Sequence, residues 1–289
     1  MDKVYNRNMR WLAGLSSRAI LLYCTAFLSA AVLGAAPGSA QEFRLITSPW
    51  PPSNYLDEEG RPTGLSVAVV EAIKHRLGVD TPIEVLPWAR GYVIAEQNPN
   101  VMLFTAGRTD ERVAAGFEFI GPIVMWRHVL LSRSDATFEI SDLEDVWMQD
   151  LTAAAVRGSW QAKLLQSAGV DVVETDDQAM SARMLLAGRI DLWFTSSLQA
   201  SVVLRDLNEP QNAVVEHFTI RKSPSYLMIS KGTDPALLAE WRGAFQALKS
   251  TGFYDELVEL WSARLGIPLG HDPDQGTFAK PQNISFVIP

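Results

Sequence analysis

Residues 101–123 read VMLFTAGRTDERVAAGFEFIGPI and combine a strand, a loop of small residues and the start of a helix. The apolar run 101–104 predicts a short strand, and the small residues 105–107 leave the backbone after it open to a ligand. Thr109 suits the first position of a helix, because its hydroxyl reaches free N–H groups two or three residues further on. Arg112 then lies in the first turn of that helix, close to the end of the strand.

The position of Arg112 has two interpretations. Its guanidinium suits a carboxylate ligand, since the planar fork binds both carboxylate oxygens. The alternative is an ordinary surface ion pair with Asp110 or Glu111, because most arginines lie on the solvated surface. The segment alone leaves both interpretations open.

Outward from this segment, strands alternate with helices in both directions. Strands are predicted at 43–47, 83–86, 101–104, 124–132, 151–156, 172–174, 190–194, 214–220 and 226–230. Helices are predicted at 65–77, 159–168, 177–187, 197–207, 233–249 and 253–265, with shorter ones ending at 97, after 109 and from 141. The alternation indicates parallel β-α-β units. Because the series occurs twice without a long linker, we expect an α/β protein of two lobes with a ligand crevice between them. Residues beyond Gly270 are expected to trail over the surface.

The first 40 residues have the pattern of a secretory signal peptide. Four basic residues lead into the apolar run 19–36, and small residues before Gln41 predict cleavage after Ala40. The alternative is an uncleaved membrane anchor, since the apolar run approaches spanning length. Cys24 lies within this run, but Tyr23 before it is too bulky for a lipoprotein cleavage site, so no lipid anchor is expected.

The composition of the remaining chain excludes several function classes. Residues 41–289 contain no cysteine, which suits an oxidising periplasm and excludes disulfides and thiol chemistry. Removing the leader takes four of the 25 basic and one of the 33 acidic residues, leaving 21 against 32, a net charge of −11. Such an acidic chain argues against nucleic acid as a partner. No second apolar run reaches spanning length, so we expect a soluble periplasmic protein.

Motifs for a metal, a cofactor or covalent catalysis are missing from the sequence. The four histidines are far apart and show no metal-ligand spacing: His75, His128, His217 and His271. Neither a phosphate-binding glycine loop nor a nucleophile elbow occurs. We therefore expect no metal and no cofactor.

Three tryptophans, Trp50, Trp88 and Trp160, lie at loops or at the ends of predicted elements. Each can simply pack into a core, which is the ordinary role of this residue. Their occurrence in both halves of the chain favours a ligand-lining role for at least one of them. Ser159, just before Trp160, indicates either a second anion site at a helix start or a plain N-cap.

The chain resembles the bacterial extracellular solute-binding proteins of family 3 over residues 42–267. The resemblance is carried by the order and spacing of several motifs: the signal peptide, Pro51-Pro52, Gly60-x3-Gly64 before an amphipathic helix, Gly107-x-Thr109-x2-Arg112, Phe119-x-Gly-Pro122, Gly158-Ser159, Gly188-Arg189-Ile190-Asp191 and Gly252-Phe253-Tyr254. It implies a two-lobed periplasmic-binding-protein (venus flytrap) fold with two hinge crossovers. Lobe 1 would comprise 41–127 and 224–289, and lobe 2 would comprise 128–223. It also implies capture of a small polar solute, usually an amino acid, for an inner-membrane ABC permease. We expect a monomeric binding protein and not an enzyme.

The resemblance implies roles for particular residues on lobe 1. Arg112 matches the arginine that binds the ligand carboxylate, and Thr105 and Gly107 match contacts beside it. Trp50 matches the aromatic residue that covers the ligand. We add three candidates near the same mouth: Trp88, Arg90 and Arg108.

On lobe 2, Ser159 and Trp160 match the helix start that meets the carboxylate. Ser196 departs from the family pattern, since amino-acid binders usually carry an aspartate there for the α-ammonium. A neutral hydroxyl cannot supply the same charge-assisted hydrogen bond. An anionic solute without a compulsory ammonium is therefore at least as plausible as an α-amino acid.

Two other functions remain open on this fold. One is a periplasmic enzyme similar to a dehydratase of cyclic acids, which needs a carboxylate or histidine in the cleft. No matched position supplies one, although Glu118 or His128 remain candidates. The other is a sensory module, which we would expect to be followed by a transmembrane helix and a kinase.

Overall fold

The computed structural model describes residues 42–281, and the predicted signal peptide lies outside them. The strands are β1 (Arg44–Thr47), β2 (Tyr55–Leu56), β3 (Pro62–Thr63), β4 (Ile83–Val85), β5 (Val101–Gly107), β6 (Glu118–Arg133), β7 (Thr152–Val156), β8 (Asp171–Thr175), β9 (Leu192–Ser196), β10 (Val214–Ile229), β11 (Leu269–Asp272) and β12 (Gly276–Ala279). The helices of this part of the chain are α1 (Leu65–Leu77), α2 (Trp88–Gln97), α3 (Asp110–Ala114), α4 (Leu143–Met148), α5 (Trp160–Ser167), α6 (Gln178–Leu186), α7 (Ser197–Asp206), α8 (Pro235–Leu248) and α9 (Phe253–Leu265). A 3₁₀ turn, Gln211–Ala213, precedes β10.

Most of the strands form one sheet in the order β4-β1-β5-β10-β6-β9-β7-β8. The strands β4, β1 and β5 are parallel to each other, and so are β8, β7 and β9. Between the two parallel groups run β6 and β10, which are 16 residues long each and antiparallel to each other. The repeated β/α series that the sequence predicts is therefore confirmed.

The carboxyl ends of the two parallel groups face each other along the central strands. At the end of β5, Gly107 pairs with Ser225 of β10. At the end of β9, Ser196 pairs with His128 of β6. We call the carboxyl ends of β4, β1 and β5 the first edge, and those of β7, β8 and β9 the second edge. Ligands of open α/β sheets bind at such carboxyl ends.

Residues 124–128 of β6 pair with residues 221–225 of β10 and join the two edges; we call this segment the bridging ribbon. Four residues of strand span about 13 Å, which sets the separation of the two edges along the sheet. The ladder shifts register on both sides of the ribbon, between Thr219 and Arg221 and between Ser225 and Leu227. Such irregularities bend and twist strands.

Different hydrophobic cores support the two parallel groups, although Leu198 and Val202 of α7, which follows β9, pack in the core of the first group. The largest fully buried side chains include Phe43, Phe104 and Trp241 on one side and Trp193 and Phe194 on the other. Phe43 of the first core packs edge-to-face against Trp241 of α8, with ring centroids 5.4 Å apart. Burying one side chain of this class contributes about 1.5–3 kcal/mol, so each core holds its edge rigidly.

The central strands differ from the sequence prediction. The strand β6 begins at Glu118, not at Val124, and β10 is one strand where two were predicted. The sequence Arg221-Lys222-Ser223-Pro224-Ser225 reads as a turn because it is polar and contains proline. Pro224 is tolerated because β5 ends opposite Ser225, so β10 has no neighbour on that side to which an N–H would donate.

Two predicted helix starts are displaced by one residue. Asp142, not Ser141, caps α4, and its side chain accepts from the backbone N–H of Asp145. Asp234, not Thr233, caps α8, while the Thr233 hydroxyl donates to a nearby carbonyl. In both cases a carboxylate acceptor takes the position, because it can only accept and matches the positive end of the helix dipole.

The prediction of a tail trailing beyond Gly270 is wrong for the part of it within residues 42–281. Residues 269–279 form the β11–β12 hairpin, and Thr277 pairs with Val124 at the end of the bridging ribbon. The guanidinium of Arg127 donates to the Ala279 carbonyl at 3.0 Å. The hairpin therefore packs along β6.

Candidate functional site

Arg112 lies at the first edge on α3, where the predicted cap is confirmed. The Thr109 hydroxyl accepts from the backbone N–H of Arg112 at 3.3 Å. The Arg112 guanidinium donates to the Gly107 carbonyl at 2.6 Å and lies 5.0 Å above the Trp88 ring and 5.6 Å from the Tyr92 ring. Stacking and one hydrogen bond thus hold the guanidinium in place.

The alternative surface ion pair of Arg112 is not formed. Neither Asp110 nor Glu111 lies within ion-pair distance, and none of the ion pairs among residues 42–281 includes Arg112. A half-buried guanidinium that is oriented by aromatic rings and has no carboxylate partner suits an anionic ligand.

Thr105, at the first edge, adopts a strained backbone conformation with φ +65°. Its hydroxyl lies 3.4 Å from that of Ser53, which in turn lies 2.6 Å from the hydroxyl of Ser66. Gly64, with φ +128°, is required here because a Cβ would stand 2.2 Å from the Ser53 carbonyl oxygen. A left-handed conformation in a residue other than glycine costs about 1–3 kcal/mol and is concentrated at functional sites.

Trp50 lies in the loop after β1 with 47% of its surface exposed. Its ring is 6.0 Å from that of Trp126 on the bridging ribbon, in an edge-to-face arrangement. One side of the indole is thus anchored while much of the ring stays in solvent. An anchored, exposed indole between the first edge and the ribbon is available to cover a ligand.

Trp160 is the centre of the second edge, at the first position of α5. Its ring meets His128 edge-to-face at 4.9 Å and Phe194 at 5.5 Å. The guanidinium of Arg221 lies 5.0 Å above the same ring. Arg221 and His128 are directly opposite in the ladder between β6 and β10. The cation and the imidazole of the ribbon therefore both contact the indole at the start of α5.

The two serines of the second edge act as helix caps. The Ser159 hydroxyl accepts from the backbone N–H of Ala162 at 3.1 Å, and the Ser196 hydroxyl accepts from that of Gln199 at 3.2 Å. Ser196 is 3% exposed and lies opposite His128. The plain N-cap interpretation of Ser159 thus describes its hydroxyl, although a capping hydroxyl keeps a proton to donate.

His128 is 8% exposed, and its Nδ1 has no hydrogen-bond partner among the described residues. Burial lowers the pKa of His128 to about 4, and the charge of Arg221 acts in the same direction. The imidazole is therefore neutral near pH 7. From the sequence, His128 is a candidate only for an enzyme, and Arg221 is not a candidate, since the predicted strand ends at Ile220.

The guanidiniums of Arg90 and Arg108 stack on neither Trp50, Trp88 nor Trp160 among the described residues. The Arg108 guanidinium lies 5.9 Å from the Phe119 ring, away from Trp88. Arg90 is exposed on α2 near Glu84, where a hydrogen bond from Arg44 lowers the pKa of Glu84 and the charge of Arg90 adds to the effect. The structure therefore brings Arg112 together with Trp88 and Gly107, and Trp160 with Ser196 through His128.

Neither a metal site nor a membrane-spanning helix is found in the described part of the chain. Within residues 42–281, no group of three or more His, Cys, Asp or Glu side chains is arranged to hold a metal ion. Over the same residues, every helix is too short or too polar to cross a bilayer.

Solved structures with the same fold are numerous. The L-cystine solute receptor of Neisseria gonorrhoeae, unliganded and open, matches with TM-score 0.61 and 22% identity over 76% of this chain and 92% of the receptor. A histidine kinase sensor domain similar to periplasmic binding proteins matches with TM-score 0.59 and 21% identity over 76% of this chain and 96% of the domain. An ancestral amino acid-binding protein, a precursor of cyclohexadienyl dehydratase, matches with TM-score 0.57 and 23% identity over 76% and 95%.

These likenesses confirm the two-lobed fold of periplasmic binding proteins that the sequence predicts. Among curated proteins, no sequence matches the chain. The model of the bacterial extracellular solute-binding proteins, family 3, matches residues 44–264, from β1 into α9, and so includes both edges and the bridging ribbon. The chain therefore belongs to family 3 of the bacterial extracellular solute-binding proteins.

Proposed function

We propose that this protein binds a small polar solute that carries a carboxylate, in the periplasm, and delivers it to an ABC importer. The observation that supports this most is Arg112, which is oriented by Trp88 and the Gly107 carbonyl and has no carboxylate partner among residues 42–281. A guanidinium prepared in this way binds a carboxylate without first leaving another anion.

The proposed mechanism is closure of two lobes about the bridging ribbon. Lobe 1 comprises residues 41–127 and 224–289, and lobe 2 comprises 128–223. The solute docks first on Arg112 and Thr105, beneath Trp50, and lobe 2 then brings the start of α5 and Ser196 against it. Binding shifts an equilibrium between open and closed forms, because only the closed form makes both sets of contacts.

The solute is an amino acid or a related organic acid in this proposal. Two structurally similar proteins support this class of ligand, since one is an L-cystine receptor and the other an ancestral amino acid-binding protein. Ser196 argues against a compulsory α-ammonium, since its buried hydroxyl is neutral and already accepts from Gln199. The protein acts without chemistry on its ligand.

Calorimetric titration of the protein with amino acids, mono- and dicarboxylates, aromatic acids and short peptides tests the proposal. Arg112→Ala should weaken binding of the best ligand by about 1.5–3 kcal/mol, because a hydrogen bond to a charged group is lost. Arg242→Ala is the matched control, since Arg242 forms an ordinary exposed ion pair with Glu118. Equal affinity of both variants and the parent protein would contradict the role of Arg112.

A second candidate is an enzyme on the same fold, and one observation favours it. His128 is a buried, neutral imidazole at the second edge, with Nδ1 free of any partner among residues 42–281. A neutral imidazole is the form required of a general base. NMR spectra of cyclic hydroxy acids incubated with the protein would show an elimination product if this function is correct. Spectra that stay unchanged, together with measured binding, favour the solute-binding function.

A further inference from the structure

Arg221 is a cation of the bridging ribbon beside the second edge, and it has no anionic partner among residues 42–281. Its guanidinium lies above Trp160, and it forms neither a hydrogen bond nor an ion pair with another side chain of the described region. An aromatic ring orients a guanidinium and leaves its N–H groups free at the edges. Arg221 thus resembles Arg112, which is stacked over Trp88 in the same way.

His128 supplies a second group of unusual character beside Arg221. Its Nδ1 is buried and has no partner among the described residues, although buried polar atoms are normally paired. Leaving such an atom unpaired costs about 1–3 kcal/mol. An anion over Trp160 would accept from the Arg221 fork, whereas the buried Nδ1 of His128 would donate to it only after the imidazole turns.

We propose that Arg221, His128 and Trp160 form a second anion subsite, so that the solute is a dianion of the dicarboxylate class with one carboxylate on Arg112 and the other on Arg221. This inference rests on the proposed function and names its ligand class. Trp160 connects the three residues of the subsite, since both His128 and Arg221 contact its ring.

The register of the central strands supports a ligand that bridges both arginines. Arg112 is bonded to Gly107, which is level with Ser225 on β10. Arg221 lies four residues along the same strand, about 13 Å at the backbone. Arg112 lies at the first edge and Arg221 at the opposite end of the ribbon, so the proposal places a short chain with a carboxylate at each end between them.

The charge of the site supports the same conclusion. Two guanidiniums at one cleft repel each other, and an anion at each one offsets that repulsion. A bound ammonium group would instead need a carboxylate. The acidic residues near the start of α5, Glu174 and Asp176, lie within ion-pair distance of Arg157. Ser196, where the family pattern has aspartate, is neutral.

The test is calorimetry on protein expressed from the full-length chain, with three dicarboxylates and their monocarboxylate counterparts of equal carbon number. The pairs are succinate with butyrate, glutarate with valerate, and adipate with caproate. At least one dicarboxylate should bind tenfold or more tightly than its counterpart. Arg221→Gln should lower the affinity for that dicarboxylate about tenfold or more and leave the monocarboxylate within twofold, since only the second carboxylate loses a charged partner.

Lys222→Gln is the matched control, because it removes the same charge from the next residue of β10, which is opposite Arg127 and not His128. It should leave both affinities within twofold. Arg221→Lys keeps the charge and should restore part of the affinity for the dicarboxylate. Thermal melting of each variant verifies that it folds.

The possible outcomes separate the two proposals. Equal affinities within each pair, or equal effects of Arg221→Gln and Lys222→Gln, would overturn the second subsite and leave the proposed function standing. If the protein binds amino acids but no dicarboxylate, and Arg112→Ala weakens that binding, the second subsite is likewise overturned and the proposed function stands. A protein that binds no carboxylate and no amino acid would overturn both proposals.

Discussion

The neutral state of His128 follows from its burial on the bridging ribbon, where its ring packs against Trp160. An exposed histidine has a pKa near 6.5, whereas burial lowers that of His128 to about 4. Between these two values the unfolded chain binds a proton that the folded chain does not bind. The contribution of His128 to stability is therefore complete above about pH 6.5 and decreases as the pH falls towards 4.

We expect this residue to lower the free energy of unfolding by about 2 kcal/mol between pH 7 and pH 5. Urea unfolding of the parent protein and of His128→Gln, in buffers without carboxylates, measures the effect. The variant should lose about that much less stability over this interval, while His217 and His271 titrate equally in both proteins and cancel in the comparison. The same pH dependence in both would show that His128 is not held neutral by burial.

Single residues also show how far the sequence predicts the site. The Thr109 cap and the position of Arg112 follow from local rules, because a cap acts within three residues. The contacts of Ser53, Trp126 and Arg221 could not be predicted, because their partners lie far along the chain. These partners are Thr105, Trp50 and Trp160 respectively. Local patterns cannot indicate such contacts.

The hairpin of β11 and β12 is a polar segment that forms strands because of long-range pairing. Residues 270–281 carry no apolar periodicity, and the sequence predicted a surface tail. Their order comes from pairing with each other, from the contact of Thr277 with Val124 and from the hydrogen bond between Arg127 and Ala279. These are long-range interactions, so periodicity in the sequence does not reveal them.

Gly276 is the point where this hairpin meets β6. Its φ is +84°, and a Cβ there would stand 2.6 Å from the backbone of Ile123. Gly276→Ala should therefore lower the free energy of unfolding, by on the order of 1–3 kcal/mol for the backbone strain alone.

Gly243→Ala is the control for this substitution. Gly243 lies within α8 with open space where a Cβ would be, so alanine should raise the free energy of unfolding by about 0.5–1 kcal/mol. Urea unfolding of both variants gives the comparison. A neutral Gly276→Ala would mean that the hairpin moves away from β6 without loss.

In the whole molecule, the ribbon joins the two edges into one continuous arrangement along the central strands. The sequence predicted two lobes because the β/α series occurs twice, and that prediction needs only local periodicity. It did not predict that the carboxyl ends face each other, since this depends on the register of β6 against β10. The register is set by pairing of residues about 100 positions apart, such as Val124 with Ser225.

We predict that the two lobes close on the ligand by bending at the bridging ribbon. The ribbon is two strands wide and has register shifts at both ends, whereas each edge is supported mainly by its own core, to which Leu198 and Val202 of α7 add a contact between the two groups. Bending should therefore concentrate in the ribbon while the lobes move as rigid bodies.

Small-angle X-ray scattering should show a smaller radius of gyration when the tightest ligand of the calorimetric panel is present at saturation. At a ligand concentration about ten times the dissociation constant of the parent protein, Arg112→Ala should keep a radius closer to the unliganded value, because a loss of about 1.5–3 kcal/mol leaves most of the variant unbound. A radius that stays constant on saturation of the parent protein would contradict closure and would mean that the solute binds to a rigid cleft.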